Sequence, residues 1–368
     1  MKTDIFTMIS KTIPNWLHAD APASDIIISS RLRYARNIAG YRFPAWASDE
    51  ELSEVFEMIQ LALEYIQQST TTEIVKLIKI TDFTELQGEF LLERHLISPD
   101  FFKIFKSRIG KDKHLTTSGI FISNDETISI MVNEEDHLRF QVICGGFDFD
   151  SGFSKLNLLD DILDSTLRFA FSPQYGYLTA CPTNVGTGLR VSIMAHLPGL
   201  VLTKEINQVL NSIWQLNYLT RGLYGEGTDT KGYFFQISNS ITLGQSEQEI
   251  IQGMKNITTQ LINHEQRSRD FLLKNMKTEI EDKVYRAYAI LNSARLLNSD
   301  EALNLLATVR LGIVLQIISN VSLETINKVM ILLKPANLQV FYNQVMNPYE
   351  RDEKRAALIR TILQTSEN

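Results

Sequence analysis

Six arginines recur in four short runs of the chain. Arg31, Arg33 and Arg36 lie in SSRLRYAR (29–36), Arg139 ends NEEDHLR (133–139), Arg190 ends CPTNVGTGLR (181–190) and Arg221 begins RGLYGEG (221–227). A guanidinium stays charged at any ordinary pH and presents a planar fork of donors that grips phosphate oxygens two at a time. Any one of these arginines alone reads as a surface residue. Together, beside glycines and carboxylates, they read as a polyphosphate site. No GxxxxGK-(S/T) run is present, so the site is not a P-loop. No HRD or DFG set marks an ordinary protein kinase.

The same runs hold groups that repel phosphate: Glu134, Glu135 and Asp136 in the second, Glu226 in the fourth, and the thiol of Cys181 at the head of the third. Read singly, each has a plain alternative. The acidic trio reads as a solvated turn, Cys181 as an inert buried thiol, Gly186 and Gly188 as turn glycines, and His95 in ERHLISP (93–99) as a histidine at a helix end.

Holding such runs together takes a mixed scaffold. Apolar spacing predicts helices over 50–67 and 156–171. Strands are expected over 119–123 and 127–132 around the Asn124-Asp125 turn, and over 138–144, 177–181, 189–196 and 233–238. Strands grouped without βαβ alternation point to an α+β fold with an antiparallel sheet flanked by helices. Between Gly253 and Gly312 there is no glycine or proline, and the stretch reads as long helices. Ser246 and Glu249 form a capping box at its entrance, and Asn347-Pro348 starts a last helix over 349–364. The expected division is a mixed α+β domain over 1–255 and an all-helical domain over 256–368.

The 368 residues are 44% hydrophobic and 21% charged, enough for a core. A net charge of −7 disfavours nucleic acid as a partner. Cys144 and Cys181 form no CxxC or Cys/His cluster, so no metal site is expected. The first residues lack a signal-peptide pattern, and no apolar run reaches the ~18–20 residues of a membrane span, so a cytoplasmic chain without a membrane partner is expected.

The four runs, in this order, resemble those of the ATP:guanido phosphotransferases, the family of creatine and arginine kinases. The resemblance spans roughly 20–255. The tail run RDEKRA (351–356) makes the chain most similar to the bacterial protein-arginine kinases of the McsB type. The resemblance implies an ATP-dependent kinase that phosphorylates a guanidinium, with Mg²⁺ accompanying the nucleotide. It implies nucleotide contacts from Ser29, Ser30, Arg31, Leu32 and Arg33, from His95 and Arg139, from Arg190, Val191, Ser192, Ile193 and Met194, and from Arg221, Gly222, Leu223, Tyr224, Gly225 and Glu226. Glu135 and Glu226 would hold the acceptor, with Cys181 beside them as a third catalytic group. Arg351, Asp352, Arg355 and Ala356 would form a separate regulatory pocket for phosphoarginine.

These roles are chemically coherent. Phosphoryl transfer depends on positioning and charge neutralisation. A guanidinium is a poor nucleophile until carboxylates align it and one takes its proton. Small-molecule members of the family carry a helical domain before the first arginine run. Here that run begins at Ser29, so an open site and arginine within proteins as substrate are expected. The alternatives are a kinase for free arginine or another small guanidino compound, and a non-catalytic phosphoarginine-binding module. The helical part is expected to form a homodimer, because residues 303–318 are apolar around much of a helix. A zinc-binding activator protein and a Clp-type unfoldase are partners implied by the resemblance alone.

Overall fold

The computed structural model describes Ile9 and residues 13–69, 74–82, 84–108, 117–222 and 231–366. The mixed part contains β1 (Ile27–Arg36), α1 (Asp49–Ser69), β2 (Ile74–Lys79), α2 (Glu85–Glu93), α3 (Pro99–Arg108), β3 (Gly119–Ser123), β4 (Ile128–Val132) and β5 (Leu138–Gly145). It continues through α4 (Phe149–Leu167), β6 (Phe171–Ser172), β7 (Gly176–Tyr177), β8 (Leu189–His196), α5 (Pro198–Leu202), α6 (Ile206–Gln215), β9 (Tyr218–Gly222) and β10 (Phe234–Asn239). Helices follow: α7 (Glu247–Asn275), α8 (Lys277–Ser293), α9 (Ser299–Val314), α10 (Leu323–Leu332), α11 (Pro335–Tyr342) and α12 (Pro348–Ser366).

Eight strands form one antiparallel sheet in the order β2-β3-β4-β5-β1-β8-β10-β9. Side chains alternate between faces along each strand, and this period divides the sheet chemically. On one face Leu32, Tyr34, Phe140, Val142, Val191, Ile193 and Phe235 are buried against apolar residues of α1, α4 and α7. The neighbouring positions Arg31, Arg33, Arg139, Arg190 and Arg221 fall on the other face. A second core, from Ile28, Ile143 and Phe234 to α8–α12, covers part of that second face with the C-terminal helices.

Both expected caps are present. Ser246 accepts from Glu249 N while Glu249 accepts from Ser246 N. Asn347 and Glu350 exchange the same pair of bonds at the start of α12.

Four expectations need correction. SSRLRYAR, which falls in none of the expected strands, is itself a central strand, β1. The strand expected over 177–181 stops at Tyr177, because Asp136 takes Ala180 N (2.7 Å), Asn37 donates to Leu178 O (3.1 Å), and Pro182 opens a 3-10 turn. The helix expected over 156–171 begins earlier, where Asp148 caps Ser151 N, and ends at Leu167, where Arg168 turns to φ 54°. The helix expected over 303–318 is α9, which starts at the Asn298 cap and ends before Gln316, itself at φ 59°.

Part of the apolar girth of α9 is covered within the chain. Ala302 and the run from Leu306 to Gly312 are buried. A Cβ at Gly312 would stand 2.3 Å from Val284 of α8. Leu303, Leu305, Ile313, Val314 and Ile317 stay partly exposed.

The helical part is fastened to the sheet by buried polar groups. Arg310 of α9 donates to Ser24 O, to Asp25 O and to His196 Nδ1. The Glu93 carboxylate accepts from Ala336 N and Asn337 N at the start of α11, and Arg94 donates to Asn337 Oδ1 (2.8 Å). No helix among the described residues is long and apolar enough to cross a membrane.

Candidate active site

Five of the six arginines of the four runs converge on a cavity of about 690 Å³ between the sheet and the C-terminal helices, while Arg36 is buried on Asp160 instead. Arg31, Arg33, Arg139, Arg190 and Arg221 all line it. Arg33 of β1 stands directly across from Arg190 of β8, a like-charge pair that destabilises a sheet unless an anion lies over it. Burial first, then the charge of Arg139, lowers the Arg31 guanidinium to about 10. Arg33 is pushed well below the usual range by burial, then by Arg31, Arg139 and Arg190.

Partners are few here. The side chains of Arg31, Arg33 and Arg221 have no hydrogen-bond partner among the described residues, and Arg33 Nε is buried without one. Arg139 pairs with Glu134 at 3.0 Å. Arg190 is aimed by neutral acceptors: Asn184 Oδ1 (3.2 Å), Asn239 O (2.6 Å) and Thr183 O (3.1 Å). The arrangement is a preformed cradle for a multiply charged anion.

The acidic trio divides into unlike members. Glu134 is buried, takes the Ser98 hydroxyl and braces Arg139. Asp136 is buried and accepts from Asn37 Nδ2 (2.6 Å) and Ala180 N (2.7 Å). Glu135 alone is exposed, and it lines the cavity. A solvated turn therefore describes only one residue of the three. Desolvation, then Asp136, raises the Glu135 carboxyl above its ordinary value. Such a group accepts a proton more readily than a free carboxylate.

Asp136 joins the two motifs physically. By binding Ala180 N it anchors the segment that presents Cys181, whose Sγ lies 3.1 Å from Thr183 Oγ1 and faces the cavity. The third run thus supplies a thiol and, through Thr183 and Asn184, the acceptors that hold Arg190.

His95 ends α2 in a left-handed turn (φ 61°) and faces the cavity beside Trp16, 6.0 Å between ring centres. Its carbonyl accepts from Gln141 Nε2 (2.6 Å). Burial, then Lys334 and Arg31, holds the imidazole well below its usual pKa and so neutral. It suits hydrogen bonding or stacking with a nucleoside better than charge neutralisation. Ser29, Ser192 and Met194 border a small cleft next to it.

Some expected nucleotide contacts are turned away. The period of two sends Leu32 and Val191 into the core on the face opposite the arginines, whereas Ile193, also part of that core, still borders the small cleft. Ser30 also turns to the face opposite the arginines and donates to Gly146 O (2.8 Å). Gly222 ends β9. Leu223, Tyr224, Gly225 and the carboxylate expected at Glu226 lie outside the described residues.

The tail cluster is separate from the cavity. Arg355 is buried and donates to Leu333 O (2.9 Å), Leu297 O (2.7 Å) and Asp352 Oδ1 (2.6 Å). Arg351 donates to Met346 O (3.0 Å), and Ala356 is buried. Arg351 and Arg355 therefore do not flank an open anion site as equals.

Sequence reading missed Gln141, Asn184, Asn239 and the cavity residues from the helical part, Ser299, Asp300, Leu303 and Lys334. Only Ser98 carried a usable signal, as a cap before Pro99; it accepts from Phe101 N at 2.9 Å.

The model of the ATP:guanido phosphotransferase C-terminal catalytic domain matches residues 54–268, and that of the protein-arginine kinase McsB C-terminal domain matches 277–368. A protein-arginine kinase of Pelotomaculum thermopropionicum is 43% identical over 94% of this chain and 94% of its own length. That of Bacillus subtilis (strain 168) is 41% identical over 98% of this chain and 96% of its own. The crystal structure of lombricine kinase superposes with a TM-score of 0.56 at 24% identity, covering 72% of this chain and 70% of that one, a likeness of fold. The arginine cradle, the catalytic-domain match and full-length relatives agree: this chain belongs to the ATP:guanido phosphotransferase family, in the branch that carries the McsB C-terminal domain.

Proposed function

We propose that this protein transfers the γ-phosphoryl group of ATP to the guanidinium of arginine residues in proteins. The observation that carries the reading is the set of five arginines facing one cavity, three of them (Arg31, Arg33 and Arg221) without a side-chain hydrogen-bond partner among the described residues, with Glu135 exposed on the same cavity. Full-length relatives bear the name protein-arginine kinase, which favours a protein acceptor.

The arginines bind the triphosphate and spread the charge that shifts toward the β-phosphate as the P–O bond breaks. A guanidinium nitrogen attacks the γ-phosphorus, ADP leaves, and the attacking nitrogen gives up a proton. Glu135 holds the guanidinium in line and takes that proton, with Glu226 as the second carboxylate and Cys181 as a third partner. Mg²⁺ enters as a companion of the nucleotide. When bound to ATP it supplies further neutralisation of phosphate charge.

Incubation with γ-labelled ATP and either an unfolded arginine-rich protein or free arginine tests the reading. Acid-labile, base-stable label on protein is the expected result. Label on free arginine alone identifies a small-molecule guanidino kinase, and no label on either rejects the activity.

The finer parts of the proposal are an organisation into a catalytic domain over 1–255 and a regulatory helical domain over 256–368, a cytoplasmic homodimer, and phosphoarginine binding at Arg351, Asp352 and Arg355. Exposed Phe271, Tyr285 and Ile290 support self-association; a monomeric mass by light scattering at micromolar concentration contradicts it. A zinc-binding activator and a Clp unfoldase are the partners a pull-down should recover.

A further inference from the structure

The cavity has two walls of different origin. The sheet contributes its arginine face, and the helical part contributes Ser299, Asp300, Leu303, Met330 and Lys334. We propose that Lys334 is a further cation of the nucleotide site, reaching the phosphate chain of ATP from the wall opposite the sheet. The inference rests on the reading that this cavity takes ATP.

Lys334 is the residue before α11, held in an extended conformation at φ −62°, ψ 146°. Its backbone is fixed from both sides. Arg355 holds the carbonyl of Leu333, and Glu93 holds the amides of Ala336 and Asn337. Its Nζ donates to Glu93 O at 2.7 Å, two residues before His95. The ammonium is therefore anchored at the His95 end of the cavity. That end also holds Arg31, and burial, then the charges of Lys334 and Arg31, keeps His95 neutral. A neutral imidazole leaves phosphate charge there to Arg31 and Lys334. The five sheet arginines reach the phosphate chain from one side only. A cation opposite them would enclose it, and would make the helical part a component of the nucleotide site as well as a neighbour.

A structural alternative is that Lys334 only ties α11 to Glu93. The two differ in what a substitution does to ligands with and without phosphate. Calorimetry with ATP, ADP and adenosine on wild type, Lys334→Met and Lys334→Arg separates them, with thermal midpoints recorded for each. The expected result for Lys334→Met is ATP affinity lowered about 10- to 100-fold, adenosine affinity unchanged, and recovery in Lys334→Arg. KM for ATP should rise with kcat largely kept at saturating nucleotide. Unchanged ATP affinity in Lys334→Met overturns the proposal, and so does an equal loss for ATP and adenosine, which marks a collapsed wall. If wild type itself binds no ATP, the reading of the cavity fails instead.

Discussion

The molecule uses arginine in two ways, and the contrast lies in what the guanidinium touches. Arg36 is fully buried, holds both oxygens of Asp160 at 2.8 and 3.0 Å, donates to Ala35 O and Thr187 O, and lies 3.5 Å from the Tyr177 ring centre. Arg310 is likewise buried and saturated with acceptors. Arg31 and Arg33, on the same strand as Arg36, have none among the described residues. A buried cation with every donor used is a strut. One held among like charges without acceptors is a receptor for an anion. Sequence composition does not separate the two; position on the strand does, because odd and even residues of β1 face opposite layers.

The carboxylates repeat the contrast and give its severest test. Glu135 stands exposed on the cavity while Asp136 is buried with two donors. Glu135→Gln should lower kcat on protein substrate ~10²–10⁴-fold, the usual cost of losing a positioned base, with ATP affinity kept. The pH dependence follows from the raised carboxyl. Glu135 must be deprotonated to act, and that form is lost as pH falls through a pKa above the ordinary carboxylate range. The acid limb of kcat against pH should therefore lie above that range. A near-normal rate in Glu135→Gln removes the residue from catalysis, and a limb at ordinary carboxylate values removes it as the titrating base.

Arg36→Ala breaks a strut and leaves Asp160 buried without its partner. Stability should fall by about 3–5 kcal/mol, the cost of stranding a buried charge, read as a lower denaturant midpoint. A loss under about 1 kcal/mol would show that the pair is screened or replaceable, and the division between struts and receptors would lose its basis.

Arg33→Ala should do the reverse. It removes a guanidinium from a repelling cluster, so the denaturant midpoint should hold or rise. ATP binding should weaken by about 1.5–3 kcal/mol, the worth of charge-assisted bonds to phosphate. Unchanged ATP affinity with Mg²⁺ present takes Arg33 out of the cradle.

Legibility followed the same division. The four runs marked the cavity arginines, Glu135 and Cys181, because those side chains come from stretches whose residue types announce phosphate chemistry. The caps at Ser246 and Asn347 were readable because a capping box is local. The central strand β1 was hidden, since the arginines of SSRLRYAR that line the cavity drew the reading to phosphate chemistry before strand alternation. Treating it as a strand would have placed Ser30 and Leu32 with the core from the start. Lys334 was out of reach of any local pattern: its place at His95 depends on Glu93, 241 residues earlier, accepting from its ammonium.

Arg351 and Arg355 offer the subtlest test, because the tail run joins one residue of each kind. Arg355 has the partners of a strut, and the carbonyls it holds, Leu297 and Leu333, precede the cavity residues Ser299 and Lys334. Arg351 is only partly buried and makes one bond, to Met346 O. If phosphoarginine binds here, Arg351 and the partly exposed Asp352 are the groups with capacity to receive it, the guanidinium taking phosphate and the carboxylate taking the ligand's guanidinium. Arg351→Ala should then leave the denaturant midpoint within about 0.5 kcal/mol, as for surface substitutions, while a phosphoarginine peptide loses affinity with the active site filled by nucleotide. Arg355→Ala should also raise KM for ATP, since both helical wall segments lose their anchor. Equal peptide affinity in wild type and Arg351→Ala rejects the pocket. An unchanged KM in Arg355→Ala limits Arg355 to holding α12 in place and disconnects the tail from the nucleotide wall.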